Sequence, residues 1–113
     1  MIYLASPYSH PEPHIRTRRY ILARDFTYHH ISLGAPIFSP IVYGHQFARD
    51  LEAPTDAVSW APFNRVMLDA AEEMWILTLP GWEESAGVQA EILHMEQAKT
   101  PYKFVEPLPN AYF

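Results

Sequence analysis

The sequence holds no cysteine, and only eight lysines and arginines against thirteen acidic residues. The first absence argues against a disulfide framework and a thiolate zinc site. The second, a net charge of −5, argues against the broad basic face with which general nucleic-acid binders neutralise phosphates, so no nucleic-acid polymer is expected as a partner. A small local anion site remains compatible with it. No apolar run approaches the ~20 residues that span a bilayer. The opening MIYLAS enters an apolar segment without a preceding basic stretch, unlike a secretory leader. The expectation is a cytoplasmic chain with no membrane partner. Nothing is repetitive or low in complexity.

What is present suits one domain spanning residues 1–113: 49% hydrophobic and 14% aromatic residues can build a single core. Residues 2–5 form a short apolar run, ended by Pro7, Pro11 and Pro13. Ser9 and Glu12 have capping-box spacing, with Pro11 near the first helical position. The pattern predicts a helix over 13–33 with Ile15, Leu22, Phe26 and Leu33 on one face, stopped by Gly34. Residues 35–41 (APIFSPI) read as a second strand, 43–51 as a short helix, 52–55 as a loop, and 60–72 as a helix carrying Phe63, Met67 and Ala71. The run 74–79 (MWILTL) is the clearest buried strand. A helix over 86–98, a strand over 101–105 and an irregular tail, EPLPNAYF, complete the chain.

Strands alternating with helices predict an α/β fold with a parallel sheet covered on both faces and right-handed crossovers. Ligands bind such sheets beyond the carboxyl ends of the strands. The segments SPYSH, SPIVYGH and PGWEES fall there.

The segment GWEESAGVQAEI carries three glutamates of unequal standing. Glu83 and Glu84 precede or open a helix, where negative charge offsets the macrodipole. Glu91 lies inside the helix, on the stripe Val88, Glu91, Ile92, Met95 that faces the sheet. A carboxylate there costs free energy unless it is paired or used. Ser85 and Gly87 open the same helix and offer a hydroxyl and free amides that suit phosphate, although Ser85 also fits as a plain N-cap. Tyr3 reads either as a core tyrosine or as a rim residue of the first strand. His45, placed in the loop after the second strand, reads as a ligand contact or a polar loop residue. His10, His14, His29 and His30 have no metal-site spacing. Arg16, Arg18 and Arg19 form a basic cluster, solvated or with one member reaching a phosphate.

Taken together, MIYLASPYS, FSPI with its following histidine, and MWILTLPGWEESAGVQAEI resemble the nucleoside 2-deoxyribosyltransferase superfamily over nearly the whole chain. The likeness is to a small branch that opens with IYLASPYS and carries GWxxSxGVxxE, related to nucleoside 5′-monophosphate N-glycosidases. The resemblance implies a three-layer, flavodoxin- or Rossmann-like α/β fold with four or five mainly parallel strands. It implies that Glu91 is a nucleophile attacking C1′ of a nucleoside or nucleotide to form a glycosyl-enzyme ester, and that Tyr3 orients it. Relatives acting on free nucleosides place an aspartate six residues before the nucleophile, whereas those hydrolysing 5′-monophosphates place a serine. Here that residue is Ser85, which points to a nucleotide.

The chain departs from the family pattern at Asn64, where an aspartate helps protonate the departing base. Asparagine donates a hydrogen bond but supplies no proton. Another acid such as Asp56 then assists, or the chain binds nucleotides without cutting them, or it is a variant lacking its acid. The expectation is an N-glycosidase for (2′-deoxy)nucleoside 5′-monophosphates, with no metal and no organic cofactor. Glu91, Tyr3 and Asn64 would stand at the reaction centre. Ser85, Gly87, Ser6, Ser9 and His45 would contact phosphate, sugar or base, and Trp60 or Trp82 would stack on the base or simply pack. The alternatives are a non-catalytic nucleotide-binding module and a base-exchanging transferase on free nucleosides. Relatives close each site with a neighbour's C-terminal segment, so the aromatic tail LPNAYF leads to the expectation of a homodimer or higher homo-oligomer.

Overall fold

Four short runs of extended chain pair in parallel: β1 (Ile2–Ala5), β2 (Ile37–Phe38), β3 (Glu73–Leu77) and β4 (Tyr102–Val105), in the order β2-β1-β3-β4. The computed structural model describes residues 1–109 and 111. The helices are α1 (Pro13–Ser32), α2 (Pro40–Leu51), α3 (Ala57–Ala70) and α4 (Ala86–Ala98). Successive strand residues face opposite sides of a sheet, and the two cores divide accordingly. Tyr3, Ala5, Met74 and Ile76 pack with Leu68 of α3 and with Val88 and Met95 of α4. Ile2, Leu4, Ile37 and Leu77 pack with Ala23 and Phe26 of α1. The result is a three-layer α/β fold of flavodoxin-like type. Tyr3, Leu4, Ile76 and Leu77 lose all solvent contact, each such side chain contributing roughly 1.5–3 kcal/mol.

From β1 the chain crosses to β2 on one side, then returns past β1 to β3 on the other. The strand order therefore reverses between β1 and β3, and a crevice opens beyond their carboxyl ends. Register places Tyr3 beside both Phe38 and Met74, so β1 is central and its end forms the crevice floor.

Several boundaries differ from the sequence expectation for identifiable reasons. The second strand holds only Ile37 and Phe38, because Ser39 and Pro40 start α2 at once: the Ser39 hydroxyl accepts the Val42 amide at 3.1 Å, and Pro40 occupies a first-turn position. His45 consequently sits inside α2 rather than in a loop. The third helix begins at Ala57, not residue 60, because Asp56 caps it by accepting the Ser59 amide at 2.9 Å. It ends at Ala70, and Pro62 is tolerated within it. The expected capping box at Ser9 and Glu12 does not form. Glu12 is the N-cap without a side-chain bond, since a residue preceding proline is held extended, and Ser9 donates instead to the Thr55 carbonyl at 2.6 Å. Leu33 lies past the helix end and is exposed. Gly34, at φ +93°, stops α1 as expected. The third strand spans Glu73–Leu77, one residue earlier than predicted at its start and two at its end. The tail residues Asn110, Tyr112 and Phe113 lie outside the described residues.

Gly81 also sits at φ +93°, in the loop after β3. A Cβ there would run into the Arg19 guanidinium. That guanidinium donates to the Ser9 carbonyl at 3.0 Å, and to the Tyr8 and Pro80 carbonyls at 3.5 Å each. Arg19 thus ties the loop after β1 to the loop after β3. Gly81→Ala should cost ~1–2 kcal/mol through backbone strain and displacement of this tie, seen as a Tm lower by about 5 °C or more. An unchanged melting curve would count against the tie.

Candidate functional site

Beyond the strand ends lies a cavity of about 390 Å³, within the range of small-molecule sites. Three helix starts border it: Pro40 of α2, Asp56 and Ala57 of α3, and Ser85, Ala86 and Gly87 of α4. A helix N-terminus brings unsatisfied amides and a partial positive charge. Pro40 has no amide hydrogen, however, and the Asp56 carboxylate offsets the charge at α3, which leaves α4 as the open terminus. At α4, Ser85 accepts the Val88 amide at 3.2 Å, leaving the amides of Ala86 and Gly87 in the first turn and the serine's own hydrogen for a ligand. At Gly87 this turn runs close to α3: a Cβ there would just touch Cβ of Ala57, at 3.4 Å.

Glu91 reaches the cavity from the second turn of α4. Its carboxyl accepts a hydrogen bond from the hydroxyl of Tyr3, a fully buried residue of the central strand. Glu91 keeps partial solvent contact through the cavity, yet protein atoms crowd the carboxyl on its other sides, and this burial pushes its pKa up to about 7, the Tyr3 bond pulling the other way. Tyr3 is itself driven well above the ordinary phenol range, first by burial and then by the neighbouring Glu91 charge and hydrogen bond. At neutral pH the pair holds a carboxyl poised between its two forms beside a phenol that stays protonated.

His45 comes from α2 and is almost fully buried. Its Nδ1 lies 2.8 Å from the Tyr8 hydroxyl, and Tyr20 stacks on its ring at 4.1 Å. Burial first, then Arg49 and Arg16, lowers its pKa. Trp60 lies flat against Gly44, whose Cβ would meet the ring at 3.5 Å, and donates its indole N–H to the Pro54 carbonyl at 2.7 Å. With Pro40, Ile41 and Ala48 it forms the apolar wall.

Ser6, Ser9, His45, Trp60, Asn64, Ser85, Gly87 and Glu91 thus share one cavity, with Tyr3 beneath it. Trp82 is not brought there: it packs on Phe104 at 5.1 Å, at the edge of the core. Arg16 and Arg19 hold loop carbonyls of residues 8–10 instead of facing the cavity. Tyr8 and Tyr20 escaped the sequence reading. The α-helical spacing of residues 16 to 20 shows that Tyr20 and Arg16 share a face, but only the fold brings His45 to them. Among the described residues no three potential ligands cluster for a metal ion, and no helix is long and apolar enough to cross a membrane.

Fold and site together define a parallel α/β protein with a buried carboxyl–phenol pair at its switch-point cavity. Residues 1–106 match the domain of unknown function DUF1937, and the chain belongs to that family. A comparison with curated proteins finds no match.

Proposed function

We propose that the chain is an N-glycosidase of the nucleoside 2-deoxyribosyltransferase type, a hydrolase that cleaves (2′-deoxy)nucleoside 5′-monophosphates through a glutamyl glycosyl-enzyme intermediate. The observation that carries the reading is the Tyr3–Glu91 bond on the cavity floor, directly behind the capped start of α4. Glu91 attacks C1′, and Tyr3 fixes which carboxyl oxygen is presented. Ser85 and the first amides of α4 hold the phosphate, and the apolar wall at Trp60 takes the base. A partly enclosed carboxylate favours an oxocarbenium-like transition state because little water competes for the charge. The test is base release from a panel of ribo- and deoxynucleoside 5′-monophosphates, read by chromatography, with Glu91→Ala alongside. Base released equally by both proteins would sink the proposal.

A second reading, a nucleotide-binding module without turnover, is favoured by Asn64 and predicts binding that survives removal of Glu91. The nucleotide substrate makes the cytoplasm the proposed setting.

We also propose a homo-oligomer. Val58 and Val66 of α3 are 83% and 66% exposed, and with Pro62 they form an apolar stripe at four-residue spacing. Sedimentation as a monomer at micromolar concentration would remove this idea.

A further inference from the structure

Two polar atoms of the cavity wall have no protein partner: the hydroxyl of Ser6, a residue 6% exposed, and the amide oxygen of Asn64. Leaving such atoms unmatched costs free energy, and residues that tolerate this cost beside a cavity mark it as a place for a polar ligand. The Asn64 amide donates a hydrogen bond to a ligand but has no proton to give away.

The other ionisable groups of the wall are poorly suited to giving one at neutral pH. Asp56 accepts the Ser59 amide at 2.9 Å and the Ser59 hydroxyl at 2.8 Å, bonds that hold it as a carboxylate below its ordinary range. Tyr8 is pushed up by burial and keeps its hydrogen. His45 is held toward its neutral form, with Nδ1 engaged by Tyr8. Glu84 is solvated at the rim. Glu91 is the nucleophile.

We infer that the chain selects nucleotides whose base departs as a stabilised anion, the uracil-type pyrimidines, and that Asn64 is the selecting residue. The inference rests on the N-glycosidase reading above. In the first step a Glu91 oxygen bonds to C1′ while the C1′–N1 bond breaks. The electron pair leaves on N1 and spreads onto the O2 and O4 carbonyls. In the second step water bonds to C1′, the ester bond breaks with its electron pair returning to Glu91, and the proton shed by the water goes to the base anion. Asn64, whose amide oxygen is closed off from the open cavity, presents its amide N–H to a base carbonyl, where negative charge grows. A purine departs readily only after protonation at N7, and an amide cannot provide that.

The experiment compares kcat/KM for 2′-deoxyuridine 5′-monophosphates carrying methyl, hydrogen, bromine or fluorine at C5, and for 2′-deoxyguanosine 5′-monophosphate, using the full chain and Asn64→Asp. The expected result is a rate that climbs with the acidity of the free base, by about tenfold or more from methyl to fluorine, with the purine slower by roughly 10²-fold or more. Asn64→Asp should narrow the purine gap by about tenfold or more and flatten the pyrimidine series. A flat series, or a purine cleaved as fast as the pyrimidines by the unmodified chain, overturns the inference and leaves the glycosidase reading standing. Base released from none of the substrates by either protein overturns both.

Discussion

Glu91→Gln should lower base release by roughly 10⁴-fold or more while the protein becomes more stable above neutral pH. The loss follows from chemistry: a carboxamide oxygen is a poor nucleophile, and no other carboxylate of the cavity wall bonds to Tyr3. The gain follows from linkage. The carboxyl ordinarily titrates at 4.5 and is pushed to about 7 in the folded chain, so between those values the folded state holds the proton that the unfolded state has lost. Stability attributable to this group is therefore greatest below pH 4.5 and falls as pH rises to about 7, where the ionised form is fully penalised. Two and a half units correspond to roughly 3–4 kcal/mol as an upper bound. Glutamine keeps the hydrogen bond from Tyr3 without the buried charge, so the variant should melt higher than the parent at pH 8 and alike at pH 4. Activity of the parent should rise through about pH 7 as Glu91 ionises, in a setting whose other titratable groups are Tyr3 of β1, Tyr8, His45 of α2, Asp56 at the start of α3, and Glu84. Equal melting curves at both pH values would mean the carboxyl is less enclosed than its contacts indicate.

The second large effect is expected at Ser85. Aspartate is as good an N-cap as serine, so Ser85→Asp should keep the bond to the Val88 amide and the fold with it. What changes is the charge facing the ligand. Two unit charges about 4 Å apart at an effective dielectric of about 20 repel by ~4 kcal/mol. Allowing for solvent in the open cavity, KM for a 5′-monophosphate should rise about 10²-fold, at 1.4 kcal/mol per factor of ten. A nucleoside lacking the phosphate should be unaffected or favoured. The ratio of kcat/KM for the two substrates is the measurement. A ratio that does not move would place the phosphate somewhere other than the start of α4.

The sequence makes the layered architecture legible because its signals are local and strong. MWILTL can be little other than a buried strand, and Val88, Ile92 and Met95 mark the buried face of α4. That same stripe exposes Glu91 as the odd member. The second strand is shorter than its apolar run suggests because Ser39 followed by Pro40 is a helix-start signal that outweighs β propensity here. The same helix start carries His45 out of the loop and into α2. Trp60 and Trp82 look alike in a sequence; the packing of Trp60 on Gly44 and of Trp82 on Phe104 depends on which elements the sheet brings together. The unpaired atoms of Ser6 and Asn64 are likewise invisible until neighbouring helices have filled, or failed to fill, the space around them.

The open start of α4 beside the cavity has a consequence for what the molecule admits. Its attraction for anions comes from peptide dipoles, not from a row of lysines and arginines, so it is confined to a few ångströms and does not titrate. An acidic chain can in this way present a positive spot without a positive surface. A lone phosphate that enters the cavity meets that spot, whereas a polyanion approaching from outside meets the net charge of −5 first. Such a site would act as a size filter for negative charge, and the chain should bind a mononucleotide with much weaker dependence on salt than proteins that grip a phosphate backbone.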